Sequence, residues 1–459
     1  MKTLIKNGTV VSASGSVKAD VLIDNGIIER VDADLQAEEA QVVDATGKMI
    51  FPGFIDTHTH LQLNNGVTDT VDNFETGTRA AIAGGTTTVL DMATQNRGES
   101  LCQALDNWHA MADGRAYCDY GFHMSITDWN EQVRQEIPIM TERGITSYKV
   151  YMAYDNLRIS DGDIYDIIKE VGLQDGIVGC HCENGDMIQK LTQELLSDGM
   201  TGTAAHPKAH PPEIEAEAVD RFLMLGRFAG YPVYIVHTSG AMALERIREA
   251  RARGQIVYVE SCPQYLMLDE SMFSLPDFEG AKYVMSPPPR NMADAEEMWK
   301  AYGSREIDFL GTDHCAFSFR GMKELGRQDF SKIPNGIPGV QERPLLIYST
   351  AVATGKISVF DMVATLSENP AKLFGMYPKK GAILEGSDAD LVLWDTDYRG
   401  VLTASDMKSA CDYTPYEGTK LVGRPYQVYL RGEKVVENGE IIGEKQGRYV
   451  ARGGCMWYR

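Results

Sequence analysis

The 459-residue chain lacks what would tie it to a membrane, to nucleic acid or to an oxidising compartment. No apolar run reaches the roughly 20 residues needed to span a bilayer. The opening Met-Lys-Thr-Leu-Ile-Lys-Asn-Gly has no apolar core of a secretion signal, so no leader is expected. Positive charge is in deficit: 44 Lys plus Arg stand against 65 Asp plus Glu, a formal charge of −21. Such a field repels polyanions, so neither nucleic acid nor anionic membrane is an expected partner, and its plainest consequence is solubility. The eight cysteines, at 102, 118, 180, 182, 262, 315, 411 and 455, form no C-x-x-C pair. Several sit in apolar runs, where a free thiol acts as a small core residue; reduced thiols and a cytoplasmic location are expected. A Gly-rich phosphate loop and a carboxylate pair flanking a sugar cleft are also missing, which argues against nucleotide and glycoside chemistry.

What is present is a large potential core, with 43% apolar residues. Residues 1–52 read as short strands. Val21–Asp24 and Ile27–Val31 flank Asn25-Gly26, a strong hairpin signal, and Gln41–Asp44 and Lys48–Phe51 flank a turn at Ala45-Thr46-Gly47. From 53 to about 375, strand-like runs alternate with amphipathic stretches. The expected strands are Gly53–His60, Thr86–Met92, Tyr120–Ile126, Ser147–Met152, Ile177–Glu183, Pro232–Thr238, Ile256–Ser261 and Ile307–Asp313. Helices over Glu213–Ala229, with its acids turned outward, and over Met242–Arg253 lie between them. Runs such as Val233-Tyr-Ile-Val are apolar on both faces, as buried parallel strands are. From 376 strands return, at Asp390–Trp394, Gln427–Leu430, Lys434–Val436 and Glu440–Ile442. The expected fold is therefore α/β: a (β/α)₈ TIM-like barrel over 53–375 beside a small β-sandwich built from 1–52 and 376–459, with a doubly wound open sheet as the alternative. The tail after Gly443, with Arg448, Arg452 and Arg459, reads as irregular and suited to covering a neighbouring subunit.

In such a barrel, chemistry sits at the C-terminal strand ends. His58 and His60 alternate with Thr57 and Thr59, so both imidazoles leave one strand on one face, close enough to hold one metal ion. Reading the other strand ends adds Lys149, His181, His237 and Asp313. A lone strand-end histidine is ordinarily structural, but four with an aspartate in one barrel point to a metal centre. Lys149 lies in Ser147-Tyr-Lys-Val-Tyr-Met, where a buried ammonium is costly unless its head reaches the mouth. His109, His206 and His210 fall outside strand ends, and the last two, in Ala-His-Pro-Lys-Ala-His-Pro-Pro, read as surface. His123 stays open, and His314 reads as support for a ligand.

On these residues the chain resembles the amidohydrolase superfamily, specifically the hydantoinase/dihydropyrimidinase family of cyclic amidases. The resemblance runs almost end to end. It rests on Gly-Phe-Ile-Asp-Thr-His-Thr-His, Tyr148-Lys149-Val-Tyr-Met-Ala-Tyr154, His181-Cys-Glu-Asn-Gly, Glu260-Ser-Cys-Pro-Gln-Tyr, Ser286-Pro-Pro-Pro-Arg-Asn, Asp313-His-Cys and Lys332-Ile-Pro-Asn335-Gly. It implies two divalent metal ions, usually zinc. His58, His60 and Asp313 would hold the buried ion and His181 and His237 the outer one, with Lys149 N-carboxylated by CO₂ as the bridge. It also implies a hydroxide, shared by the ions, that opens a hydantoin or dihydropyrimidine ring to an N-carbamoyl amino acid. Tyr154 would donate to the developing oxyanion, Asp313 would shuttle the proton, Ser286 and Asn335 would grip the amide edge, and the assembly would be a homotetramer.

The chain departs from the family pattern after His60, where Leu-Gln-Leu-Asn-Asn-Gly-Val replaces a Met-Pro-Phe-like stretch. Leu63, with Met152, suggests an apolar pocket for aryl- or alkyl-substituted hydantoins. Allantoinase and dihydroorotase are the neighbouring alternatives, the latter needing a cation such as Arg290 for a substrate carboxylate. Family relatives that serve as non-enzymatic scaffolds have lost ligands, whereas all six ligand positions here hold competent residues.

Overall fold

The computed structural model describes residues 2–64 and 66–456; Arg459 of the tail lies outside them. Near the start of the chain, alternating apolar residues form β1 (Thr3–Ser12), β2 (Gly15–Asp24), β3 (Ile27–Asp32), β4 (Gln41–Asp44) and β5 (Met49–Pro52). Asn25 and Gly26, at φ 50° and 83°, make the tight turn between β2 and β3 that the sequence predicts. The turn after β4 does something different: β4 and β5 both lie parallel to β1, so it steps the chain along β1 instead of folding it back.

Eight parallel strands follow: β6 (Phe54–Thr59), β7 (Thr86–Thr94), β8 (Asp119–Ser125), β9 (Ser147–Tyr151), β10 (Ile177–His181), β11 (Val233–Ile235), β12 (Val257–Ser261) and β13 (Phe309–Leu310), paired in chain order. Helices between them start at side-chain caps such as Asn73, Ser100, Asn130 and Ser160, whose oxygens accept otherwise unpaired amides of the first turn. The barrel closes through a bridge between Thr59 and His314, where the His60 amide donates to the His314 carbonyl at 2.8 Å. The buried Arg343 guanidinium reinforces the join, donating to Ile55 O at 2.8 Å and Leu310 O at 2.6 Å, on β6 and β13. This closure excludes an open sheet. β11 and β13 are shorter than expected because His237 and Asp313 take φ of 37° and 53°, which ends the ladder.

After the barrel, β14 (Leu391–Val401), β15 (Lys420–Leu430), β16 (Glu433–Glu437) and β17 (Glu440–Ile441) return to the first five strands. β14 pairs antiparallel with β5, so both ends of the chain join one mixed nine-stranded sheet beside the barrel. The tail does not reach outward. Val450 donates to Tyr120 O at 2.8 Å, and Tyr120 to Arg448 O at 3.0 Å. The buried Arg452 donates to Ser147 Oγ at 2.6 Å and to Phe122 O. Arg452 is thus turned onto its own β8 and β9, whereas Arg448 is exposed. Among the described residues no helix is long and apolar enough to cross a membrane.

Candidate metal centre

The strand ends converge on a cavity of about 550 Å³, lined by His58, His60, Leu63, Lys149, Tyr154, His181, His237, Ser286, Asp313 and Asn335. Three of these, Tyr154 (φ 65°), His237 and Asp313, sit in the left-handed region that side-chain-bearing residues avoid. Strain of this kind gathers at sites whose surroundings hold it in place.

Ligand geometry follows from where the ring protons go. His58 Nδ1 lies 2.6 Å from Glu260 Oε1, and a carboxylate only accepts, so this nitrogen carries the proton. The lone pair is then on Nε2, which is buried and makes no hydrogen bond among the described residues although Asp313 Oδ1 is 3.2 Å away. His60 Nε2 is 3.1 Å from the same oxygen, and the ligand atoms of His58, His60 and Asp313 lie within 4.8 Å of one another. Lone pairs converging in a buried site call for a cation between them. His181 repeats the pattern: Nε2 donates to Glu183 Oε2 at 2.9 Å, leaving the Nδ1 lone pair facing His237 Nε2 at 2.9 Å. The imidazole and carboxylate donors suit a zinc-like ion, so the residues fit a metal.

Lys149 lines the same cavity, 1% exposed, with the Tyr151 ring 5.2 Å from Nζ. Burial pushes its ammonium below the usual lysine range, against the pull of Asp313 and Glu260. The Asp313 carboxyl is driven up by burial but held well below the usual range by His58, His60 and His237. Tyr154 is raised well above its ordinary value, first by burial and then by the Glu183 charge, so its hydroxyl keeps its proton. Ser286 Oγ is buried without a hydrogen-bond partner among the described residues.

Several expectations change. Met152 does not line this cavity; Lys149 and Tyr151 face it, and strand alternation turns Met152 into the core. Leu63 does line it, together with Phe317 and Ile333. His206 and His210 are buried rather than at the surface: His206 Nε2 donates to Met285 O at 2.8 Å, and His210 Nδ1 meets Glu183 Oε1 at 2.8 Å. Glu215, read as an outward acid, is buried against Arg290 at 2.8 Å, so Arg290 is committed there and does not line the cavity. His314 supports the fold, donating to Asp72 Oδ2 at 3.0 Å, and His123 sits on Thr57 O at 3.0 Å.

Glu260 and Glu183 hold His58 and His181, and the sequence did not single them out as part of the site. Glu260 is the acid in Val-Tyr-Val-Glu-Ser, and it also accepts from Thr57 Oγ1 at 2.8 Å and from the His237 amide at 3.2 Å. A carboxylate in an otherwise apolar strand was the available signal. Glu183 stands two residues after His181, and that spacing was its signal.

The amidohydrolase family profile matches residues 49–435. D-hydantoinase of Geobacillus stearothermophilus is 46% identical over 458 residues, covering 98% of this chain and 97% of that protein. D-phenylhydantoinase of Escherichia coli is 37% identical over 456 residues, 98% of each chain. The solved structure of dihydropyrimidinase from Brevibacillus agri matches with a TM-score of 0.98 at 44% identity, covering 99% of both chains.

Proposed function

The chain belongs to the amidohydrolase family as a cyclic amidase of the hydantoinase/dihydropyrimidinase kind, and from that premise we propose that it opens 5-substituted hydantoins to N-carbamoyl amino acids. The observation that carries the reading is that His58 and His181, each held at its other ring nitrogen by a buried carboxylate, line one cavity with His60, His237, Asp313 and the buried Lys149. His58, His60 and Asp313 would hold one divalent ion and His181 and His237 a second, with Lys149 between the two sets; zinc fits the donor set. When bound, the pair supplies an activated water and a Lewis acid for the ring carbonyl. Attack of the neutral Lys149 amine on CO₂, with loss of a proton, would turn it into a carbamate able to serve as a metal ligand. The carboxylate so formed removes the cost of a buried cation.

The remaining work falls to the chain's own side chains. Tyr154 donates to the carbonyl oxygen as charge develops on it. Asp313 accepts the proton of the nucleophile and returns it to the leaving ring nitrogen. The unpartnered Ser286 hydroxyl and Asn335 take the amide edge, and Leu63 with Phe317 and Ile333 takes the substituent at position 5. The name of the D-phenylhydantoinase relative supports an aryl substituent. Dihydroorotase is disfavoured because Arg290 is paired with Glu215 and Arg97, at the cavity wall, donates to the Asp155 and Arg158 carbonyls.

We assign residues 53–375 as the catalytic unit and 1–52 with 376–459 as its supporting β unit. The eight free thiols support a reducing, cytoplasmic setting. A homotetramer is supported by the helix Gly185–Ser197, which buries none of its residues, and by Phe228, 67% exposed.

The test is hydrolysis by metal-assayed protein of 5-phenylhydantoin, dihydrouracil, allantoin and dihydroorotate, beside Lys149→Ala. The expected outcome is cleavage of 5-phenylhydantoin first, with activity and bound metal lost together in the variant. Protein that binds two metals and cleaves none of the four overturns the substrate reading; protein that binds none overturns the site.

A further inference from the structure

Lys323 binds Pro334 and Gly336 at the cavity wall and is left unused by the proposed mechanism. It opens a short turn of helix at Lys323–Gly326 and is fully buried. Its ammonium donates to three backbone carbonyls, Val284 O at 2.7 Å, Pro334 O at 2.6 Å and Gly336 O at 2.7 Å. An ammonium has three donors and no acceptor, so its capacity is used in full. It makes no ion pair among the described residues, and the nearest ring, Phe317, is 5.9 Å away. A methionine would fill much the same volume without the cost of burying a charge. What the amine adds is geometry.

The three carbonyls come from two segments far apart in the chain. Val284 stands two residues before Ser286, and Pro334 and Gly336 flank Asn335. The segments also touch directly, through the Gly336 amide on Val284 O at 3.0 Å. Gly336, at φ +136°, lies so near Cys315 that an added Cβ would stand 2.3 Å from its carbonyl oxygen, so this segment is held against the barrel from its other side. Ser286 and Asn335 are thus suspended from one buried ammonium.

We propose that Lys323 is a positioning residue for substrate recognition, fixing the spacing of Ser286 and Asn335 so that both meet the same ring amide. The inference rests on the reading of Ser286 and Asn335 given above. A side chain that sets the distance between two binding groups acts on substrate binding more than on the chemical step.

The experiment is steady-state hydrolysis of 5-phenylhydantoin by Lys323→Met and Lys323→Gln, with metal content measured on each. Lys323→Met is expected to raise KM about tenfold or more, with kcat within about threefold and metal unchanged. Lys323→Gln, which keeps two N–H donors, should recover part of the loss. A folded Lys323→Met with unchanged KM overturns the proposal, and so does a fall in kcat and metal content with KM unmoved. Should Lys323→Met fail to fold, hydrogen exchange on the wild-type protein decides. Segments 284–287 and 333–337 must open as one unit, and independent opening overturns the proposal. A wild-type protein that cleaves no ring sinks the activity reading instead, and the exchange result still reports on the linkage.

Discussion

At the scale of single residues, the centre depends on side chains that touch no ligand position of the substrate. Glu260 holds His58 by its Nδ1 proton and, through Thr57 and the His237 amide, ties β6 and β11 to β12. Such partners fix the tautomer and raise the basicity of a metal-binding imidazole. Glu260→Ala is therefore expected to weaken metal binding about 10- to 100-fold while the fold persists, read by chelator competition against the wild type. Unchanged affinity would mean that His58 is oriented by packing alone. The candidate ligand positions were legible, because a strand period of two and a common barrel mouth make His58, His60, Lys149, His181, His237 and Asp313 stand out. Their supports were not, since Glu260 meets His58 across 202 residues of chain. Met152 was a readable mistake: once Lys149 is turned to the mouth, its neighbour three along falls on the opposite face.

At the scale of elements, the strands announced themselves and the tail did not. Residues 447–456 carry no periodic pattern, so nothing in them marks what they pack on. Their partners include β8, the start of β9 and the Gly144, Asp175 and Gly375 carbonyls, with Arg452 reaching Phe122 across 330 residues. Buried acceptors left without a donor cost about 1–3 kcal/mol each. Arg452→Met strands the Phe122 carbonyl and removes the Ser147 contact, so it should lower the unfolding free energy by about 2 kcal/mol, seen as a lower urea midpoint. A variant with wild-type stability but altered mass by light scattering would restore the tail to a role between subunits.

At the scale of the whole molecule, barrel and sheet are joined by a buried charge cluster around Lys380. Lys380 contacts Asp119 at 2.5 Å, Asp390 at 2.6 Å and Asp388 at 2.9 Å, occupying the position a cation would take among the three acids. Asp119 belongs to the barrel strand β8, while Asp388 and Asp390 lead into β14 and Arg431 follows β15. Burial drives the Asp119 carboxyl up, but Lys380 and Arg431 outweigh it and hold it below its usual value of 3.8. A depressed folded pKa means that the unfolded chain binds the proton more readily. Asp119 therefore contributes stability that is present above the unfolded value and is lost as pH falls through the folded one. Asp119→Asn should cost about 2 kcal/mol near neutrality, because Arg431 loses its carboxylate and Lys380 one of three. The gap between the variant and the wild type, measured as urea midpoints from pH 7 downward, should begin to narrow below pH 3.8, where the unfolded wild-type chain takes up the proton, and level off once the folded carboxylate is protonated too. A gap that stays constant to the acid limit would show that the join is held by shape and not by charge.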